Sequence, residues 1–154
     1  MTKKGVIIME ELFELRTCLE QGNYTEAMIL LGEMEEMSKD DKIHKIRSFI
    51  IVLLLHLIKK DAQKQTTRSW EVSIRNAVRE ISHINKRRKA GGYYLREEEL
   101  RETAEEAYEA ALDSAALEAF GGSYSESELA GMVDEEKIMD TALQLILDGQ
   151  RKRK

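Results

Sequence analysis

Residues 46–76 read IRSFIIVLLLHLIKKDAQKQTTRSWEVSIRN, the most apolar segment of the chain followed by a polar, tryptophan-bearing one. At about 100° per residue, the side chains of residues 49–58 put aliphatic or aromatic groups on nearly every side of a helix, with His56 the exception. A helix that is apolar all round has to be enclosed by others, so this segment is read as the central post of a helical domain. The whole chain is accordingly expected to be all-α, a single-domain bundle of about six helices around a central apolar helix, spanning residues 1–149. A basic tail is expected at 150–154.

The rest of the composition agrees. A chain of 154 residues can bury roughly 68–70% of the surface its unfolded form exposes, so a core needs neither disulfide nor metal. With 42% hydrophobic and 34% charged residues the chain is not of the disordered type, and the absence of any proline removes the strongest helix breaker. The one cysteine, Cys18, lies between Leu15 and Leu19 in a helical pattern and is expected to be a reduced, buried thiol of a cytoplasmic protein. Lys3 and Lys4 precede only four apolar residues before Glu10 and Glu11, too few for a secretory leader. The run at 49–58 falls well short of the ~20 apolar residues a membrane span needs, so no membrane role is expected.

The net charge of −5 weighs mildly against nucleic acid, but its distribution says more. Residues 64–89 hold eight Lys/Arg against two Glu, while residues 95–120 hold two Arg against nine Asp/Glu. Two successive helices of opposite sign are expected to face each other.

Outward from the centre, periodicity places a first helix over residues 8–20, with Leu12, Leu15 and Leu19 on one stripe. Gly22 is suited to its left-handed cap, and Thr25 to the N-cap of a second helix striped by Met28, Leu31 and Met34. Ser38, followed by Asp40 and Asp41, is read as the start of the central helix, which runs to about residue 64. A threonine of Gln65-Thr66-Thr67 caps the next helix, whose Trp70, Ile74, Ala77, Val78, Ile81 and Ile84 share a face. This helix gives way to Lys86-Arg87-Arg88-Lys89 and stops at Gly91-Gly92. A fifth helix to about Phe120 carries Leu100, Ala104, Ala107, Ala111 and Ala115 on one line, small residues that admit a close neighbour. Ser125 with Glu128 forms a capping box for a short turn, and a last helix over 134–147 closes at Gly149.

Leu54-Leu55-His56-Leu57-Ile58-Lys59, then Gln63, then Arg68-Ser69-Trp70 with Ser73-Ile74-Arg75, resembles the bacterial domain-of-unknown-function family 29. Members of that family look like Leu-Leu-x-His-Leu-Leu-Lys followed by Gln and by Ser-Trp-x-x-Thr/Ser-Ile. Glu33-Met34-Glu35-Glu36-Met37 is similar to its acidic segment, and Tyr108-Glu109-Ala110-Ala111 to its later Tyr-x-x-Ala helix. The likeness covers residues 10–122, leaving 123–149 as a helical extension. The chain departs from the pattern at Lys60, where an aromatic commonly stands, and lacks the early tryptophan and the prolines near the Gln and before the Tyr helix. The resemblance implies an all-α fold and no assigned activity.

His56, Lys59 and Gln63, at i, i+3 and i+7, lie within about 60° of one another. Two readings stay open for them. With Arg68, Ser69, Trp70 and Ser73 they could line a groove for a small ligand or substrate, or they could form a polar network that fixes helix register. Glu80 and His83 have the Glu-x-x-His spacing of di-iron bundles, echoed by Asp41 and His44, but point to the flank of their helix, so no metal and no cofactor is implied. No Gly-x-Ser-x-Gly elbow or phosphate loop supports catalysis. The basic run is better explained by the helix dipole and the acidic fifth helix than by phosphate contacts. The sequence therefore points to a protein without chemistry of its own, acting through an unknown protein partner or self-association. A ligand-binding protein or enzyme is the alternative, and a nucleic-acid-associated regulator the third.

Overall fold

With no proline to interrupt it, the chain runs in long helices. A computed structural model describes residues 3–87 and 91–151, with side chains from Met9 onward. Over these residues the fold is all-α, with six helices: α1 (Lys3–Glu20), α2 (Tyr24–Gln63), α3 (Arg68–Asn85), α4 (Glu97–Glu118), α5 (Glu126–Ala130) and α6 (Glu135–Arg151). A 3-10 turn (Ala119–Gly122) follows α4. Two compact units form, Met1–Lys42 and Ile43–Lys154; α2 begins in the first and ends in the second.

The first unit is a helical hairpin. Gly22 adopts φ +74°, the left-handed cap expected of it, and the amide of Asn23 donates to the carbonyl of Cys18 at 2.8 Å. The next helix is capped by Asn23 rather than Thr25: the amide of Glu26 donates to Asn23 Oδ1 at 3.4 Å, and Thr25 already lies inside α2. Nor does a helix begin at Ser38. The 40 residues of α2 are continuous through it, because no proline intervenes and backbone amides past the first turn find carbonyls four residues back, leaving a capping hydroxyl nothing to satisfy. The apolar stripes differ from expectation as well. Ala27 is buried and Leu30, Met34 and Met37 are half-buried, whereas Met28 and Leu31 face solvent. On α1, Leu15 and Cys18 are only half-buried and Leu12 and Leu19 are exposed, so Cys18 is not a core thiol.

The second unit carries the core. Ile46, Ile50, Leu53, Leu54 and Ile58 of α2 are fully enclosed, and Phe49, Ile51, Val52 and Leu55 pack half-buried against them. Each fully buried aliphatic side chain contributes about 1.5–3 kcal/mol. Around this post stand Ile74, Ala77 and Ile81 of α3, the predicted Leu100, Ala104, Ala107, Ala111 and Ala115 line of α4, and Ile138, Ala142 and Ile146 of α6. Thr67 caps α3 by accepting from the Trp70 amide at 3.1 Å, and Ser125 and Glu128 form the reciprocal box that starts α5.

Three features of this unit depart from expectation. The basic α3 and acidic α4 each pack on α6 more than on each other, and Arg101 of α4 pairs with Asp140 of α6 at 2.6 Å. Opposite net charge is a weak, screened preference, and the apolar stripes set the neighbours instead. Gly149 does not end α6, which continues to Arg151; a Cβ there would lie 2.6 Å from Val78 Cγ1, so the glycine is what lets α3 and α6 approach. Finally, α3 stops at Asn85, ahead of the basic run. The Asn85 side chain donates to Leu95 O at 3.0 Å and Gln150 Oε1 at 2.8 Å and accepts from the Leu95 amide at 2.8 Å. Fully buried and fully paired, this amide joins the end of α3 to the start of α4 and to α6.

Candidate functional site

His56, Lys59 and Gln63 lie on the last turns of α2, where the core helix meets the end of α4. Lys59 is 4% exposed, and a lysine so enclosed requires compensation for its lost hydration. It has two sources. Its ammonium pairs with Glu118 Oε1 at 3.2 Å and sits 4.5 Å from the centroid of the Trp70 ring, where the negative face of the indole attracts a cation. One turn on, Gln63 Oε1 accepts the Phe120 amide at 3.2 Å. Phe120 needs that support: its φ of +52° is left-handed, a conformation unfavourable for a bulky side chain, and its ring packs edge-on against Tyr124 at 5.1 Å.

His56 is half-buried, and its Nδ1 is closed off from solvent with no hydrogen-bond partner. Burial lowers its pKa below the ordinary 6.5, the nearby Lys59 charge lowers it further, and Glu118 opposes them. A neutral imidazole beside an ammonium results. From α3 only Trp70 reaches this row: Arg68 and Ser69 are exposed, Ser73 is half-buried, and among the described residues none of these three hydrogen-bonds to it.

Several participants were absent from the sequence reading. Glu118 and Phe120 lie more than fifty residues from their partners on α2, and a glutamate on an acidic helix carries no local sign of its role. Lys60 pairs with Glu71 at 2.7 Å, and Thr66 Oγ1 donates to the same carboxylate at 2.8 Å; both hold Glu71 below its ordinary pKa. Asp61 Oδ2 accepts the Asp134 amide at 2.9 Å, which fastens the start of α6 to the end of α2 and lowers the Asp61 pKa. Deeper in, the Tyr108 hydroxyl is buried without a partner, and burial, with Glu135, Asp61 and Asp134 nearby, pushes its pKa up to about 12. The end of α2 is thus a junction tied by side chains to the start of α3, the end of α4 and the start of α6.

The other candidates resolve more simply. His83 is exposed and Glu80 half-buried, and among the described residues no group of three or more His, Cys, Asp or Glu is placed to hold a metal ion. No described helix is long and apolar enough to cross a membrane. Of the basic run, Lys86 and Arg87 are exposed, with Arg87 lying 5.8 Å from the Tyr94 ring; Arg88 and Lys89 lie outside the described residues. Arg151 is still helical, and Lys152, Arg153 and Lys154 lie outside the described residues.

Residues 14–138 match the family described as Domain of unknown function DUF29. The chain belongs to this family. The match includes both the His56/Lys59/Gln63 row and the Glu118 and Phe120 groups it holds, so the DUF29 segment contains the whole junction. It continues beyond the quoted motifs into α6. No curated protein and no solved structure matches this DUF29 chain.

Proposed function

We propose that the protein is an interaction module without catalytic activity, working through contacts with another protein or with itself, and that the hairpin of the first unit makes those contacts. The observation that carries this reading is exposure. Met9, Leu12, Phe13, Leu19, Tyr24, Met28, Ile29 and Leu31 all face solvent, Phe13 and Met28 with about two-thirds of their surface open (67% and 66%). Scattered apolar residues on a surface are ordinary, but eight fall within two helical segments, and Met9, Leu12 and Phe13 line one shallow depression together. On this reading the His56, Lys59 and Gln63 row, with Trp70, is a packing lock rather than a groove, and Arg68, Ser69 and Ser73 are bystanders. A cytoplasmic location accords with the single free thiol of Cys18.

The reading is tested by cross-linking the full chain in its native cell, followed by sizing and mass spectrometry. Wild-type protein is expected to enter a discrete species larger than the monomer. Leu12→Gln, Phe13→Gln, Met28→Gln and Ile29→Gln together should return it to the monomer with helicity unchanged. A wild-type chain that forms no adduct, or a quadruple variant that keeps the same adducts, overturns it.

A further inference from the structure

One side of the hairpin differs from the rest of its surface. Glu11, Glu14 and Cys18, at i, i+3 and i+7, form one edge of α1, and Glu26, Ile29 and Glu33, at the same spacing, form one edge of α2. Glu14, Cys18, Glu26, Ile29, Leu30 and Glu33 together line a groove along the hairpin. Its floor is apolar and its rim is three carboxylates. Among the described residues neither Glu14 nor Glu33 has a hydrogen-bond or ion-pair partner, while Arg16 is already paired with Glu20 at 3.2 Å. Glu11, on the same edge, has its Oε2 shut off from solvent with no donor. Residues 1–42 as a whole hold ten Asp/Glu against five Lys/Arg.

We propose that this groove docks a cationic amphipathic helix from another protein, its aliphatic side chains against Cys18, Ile29 and Leu30 and its Lys or Arg groups against Glu14, Glu26 and Glu33. Two antiparallel helices leave between them a groove that a third helix fills, and a helix seated there would cover the exposed Ile29. The rim selects the sign of that helix. A second copy of this hairpin would bring the same carboxylates face to face, a like-charge juxtaposition that opposes docking, whereas a cationic helix satisfies every rim group. This inference rests on the hairpin being the contact surface, and it adds the chemistry of the partner.

The test uses the full chain and two synthetic helical peptides of identical apolar pattern, one leucine–lysine and one leucine–glutamate, followed by fluorescence anisotropy. The lysine peptide is expected to bind and the glutamate peptide not. Glu14→Gln with Glu33→Gln should weaken binding by roughly tenfold and flatten its salt dependence, since the Debye length falls from ~10 Å at 0.1 M salt to ~3 Å at 1 M. Ile29→Gln should also weaken it, whereas Leu117→Gln, at an exposed apolar residue of α4 in the second unit, should leave it unchanged. Circular dichroism confirms that each variant keeps its helicity. Equal binding of the two peptides, no binding of either, or indifference to the Glu→Gln changes overturns the inference. So does a concentration-dependent dimer that Glu14→Gln with Glu33→Gln disrupts or strengthens, since the groove would then hold a second copy. The in-cell adducts separate the two levels: adducts lost in the apolar quadruple variant but kept in the Glu→Gln variant sink the groove and spare the hairpin, and no adducts at all sink both.

Discussion

The two ends of α2 both carry large apolar side chains, and these meet opposite fates. Toward its C-terminus, Ile50, Leu53, Leu54 and Ile58 are completely enclosed; toward its N-terminus, Tyr24, Met28, Ile29 and Leu31 face water and Ala27 is the one fully buried apolar residue of that stretch. An apolar helix is buried by the neighbours available to it and not by its composition alone. In the second unit α3, α4 and α6 each contribute an apolar stripe to the core, while in the first a single antiparallel partner leaves the outer faces open.

The largest effect should come from probing this contrast directly. Leu54→Ala, in the enclosed half, is expected to destabilise the protein by about 2–5 kcal/mol, through lost transfer energy and the cavity left behind. Leu12→Ala or Met28→Ala, in the open hairpin, should change stability by no more than about 0.5 kcal/mol. Urea unfolding of the three variants checks both halves of the statement. Comparable losses at the hairpin positions would mean that these residues are covered within the chain itself.

A somewhat smaller effect belongs to the tight approach of α3 and α6. Gly149→Ala places a methyl group where Val78 already stands and should cost about 1–3 kcal/mol, and Val78→Ala in the same chain should recover part of it. An unaltered unfolding midpoint in Gly149→Ala would show that α6 can move away freely and that the core of the second unit is looser than its burial indicates.

The smallest effect is one of pH, and it is also confined to the second unit. Because His56 has its pKa lowered in the fold, the unfolded chain binds the proton more readily. Stability is therefore full above the unfolded value of 6.5 and is lost as the pH falls through 6.5 toward the folded pKa. Glu71 and Asp61, also lowered, lose their contributions only in the more acidic carboxylate range. His56→Gln should flatten the near-neutral limb of a stability–pH curve and leave the acidic limb in place. A wild-type curve already flat between pH 7.5 and about 5.5 would show that the imidazole is freely protonated in the fold.

Much of the fold was legible because it depends on local rules. Helix periodicity, the Gly22 cap, the Thr67 N-cap, the Ser125 and Glu128 box and the alanine line of α4 each follow from residues within a few positions of one another. The errors arose where a local signal competed with a longer pattern or with packing. Ser38 offered a cap that an unbroken helix did not need, Gly149 looked like a stop and was a contact, and Cys18 and Leu12 looked like core because periodicity shows that a helix has an apolar face without showing whether anything covers it. The candidate site divides in the same way. The alignment of His56, Lys59 and Gln63 along one helix was visible at i, i+3 and i+7, but Glu118, Phe120 and Asp134 became their neighbours or those of Asp61 only through tertiary packing.

What the sequence determined by itself, then, was an all-α protein, the helix at its core and the family it belongs to, since these are set by composition, periodicity and short motifs. Packing in three dimensions is what pairs Lys59 with Glu118 over the Trp70 ring, makes α6 the shared neighbour of α3 and α4, and leaves the apolar faces of the hairpin open. Those outcomes depend on which surfaces of different helices meet, and no spacing along a single helix encodes the identity of its partner.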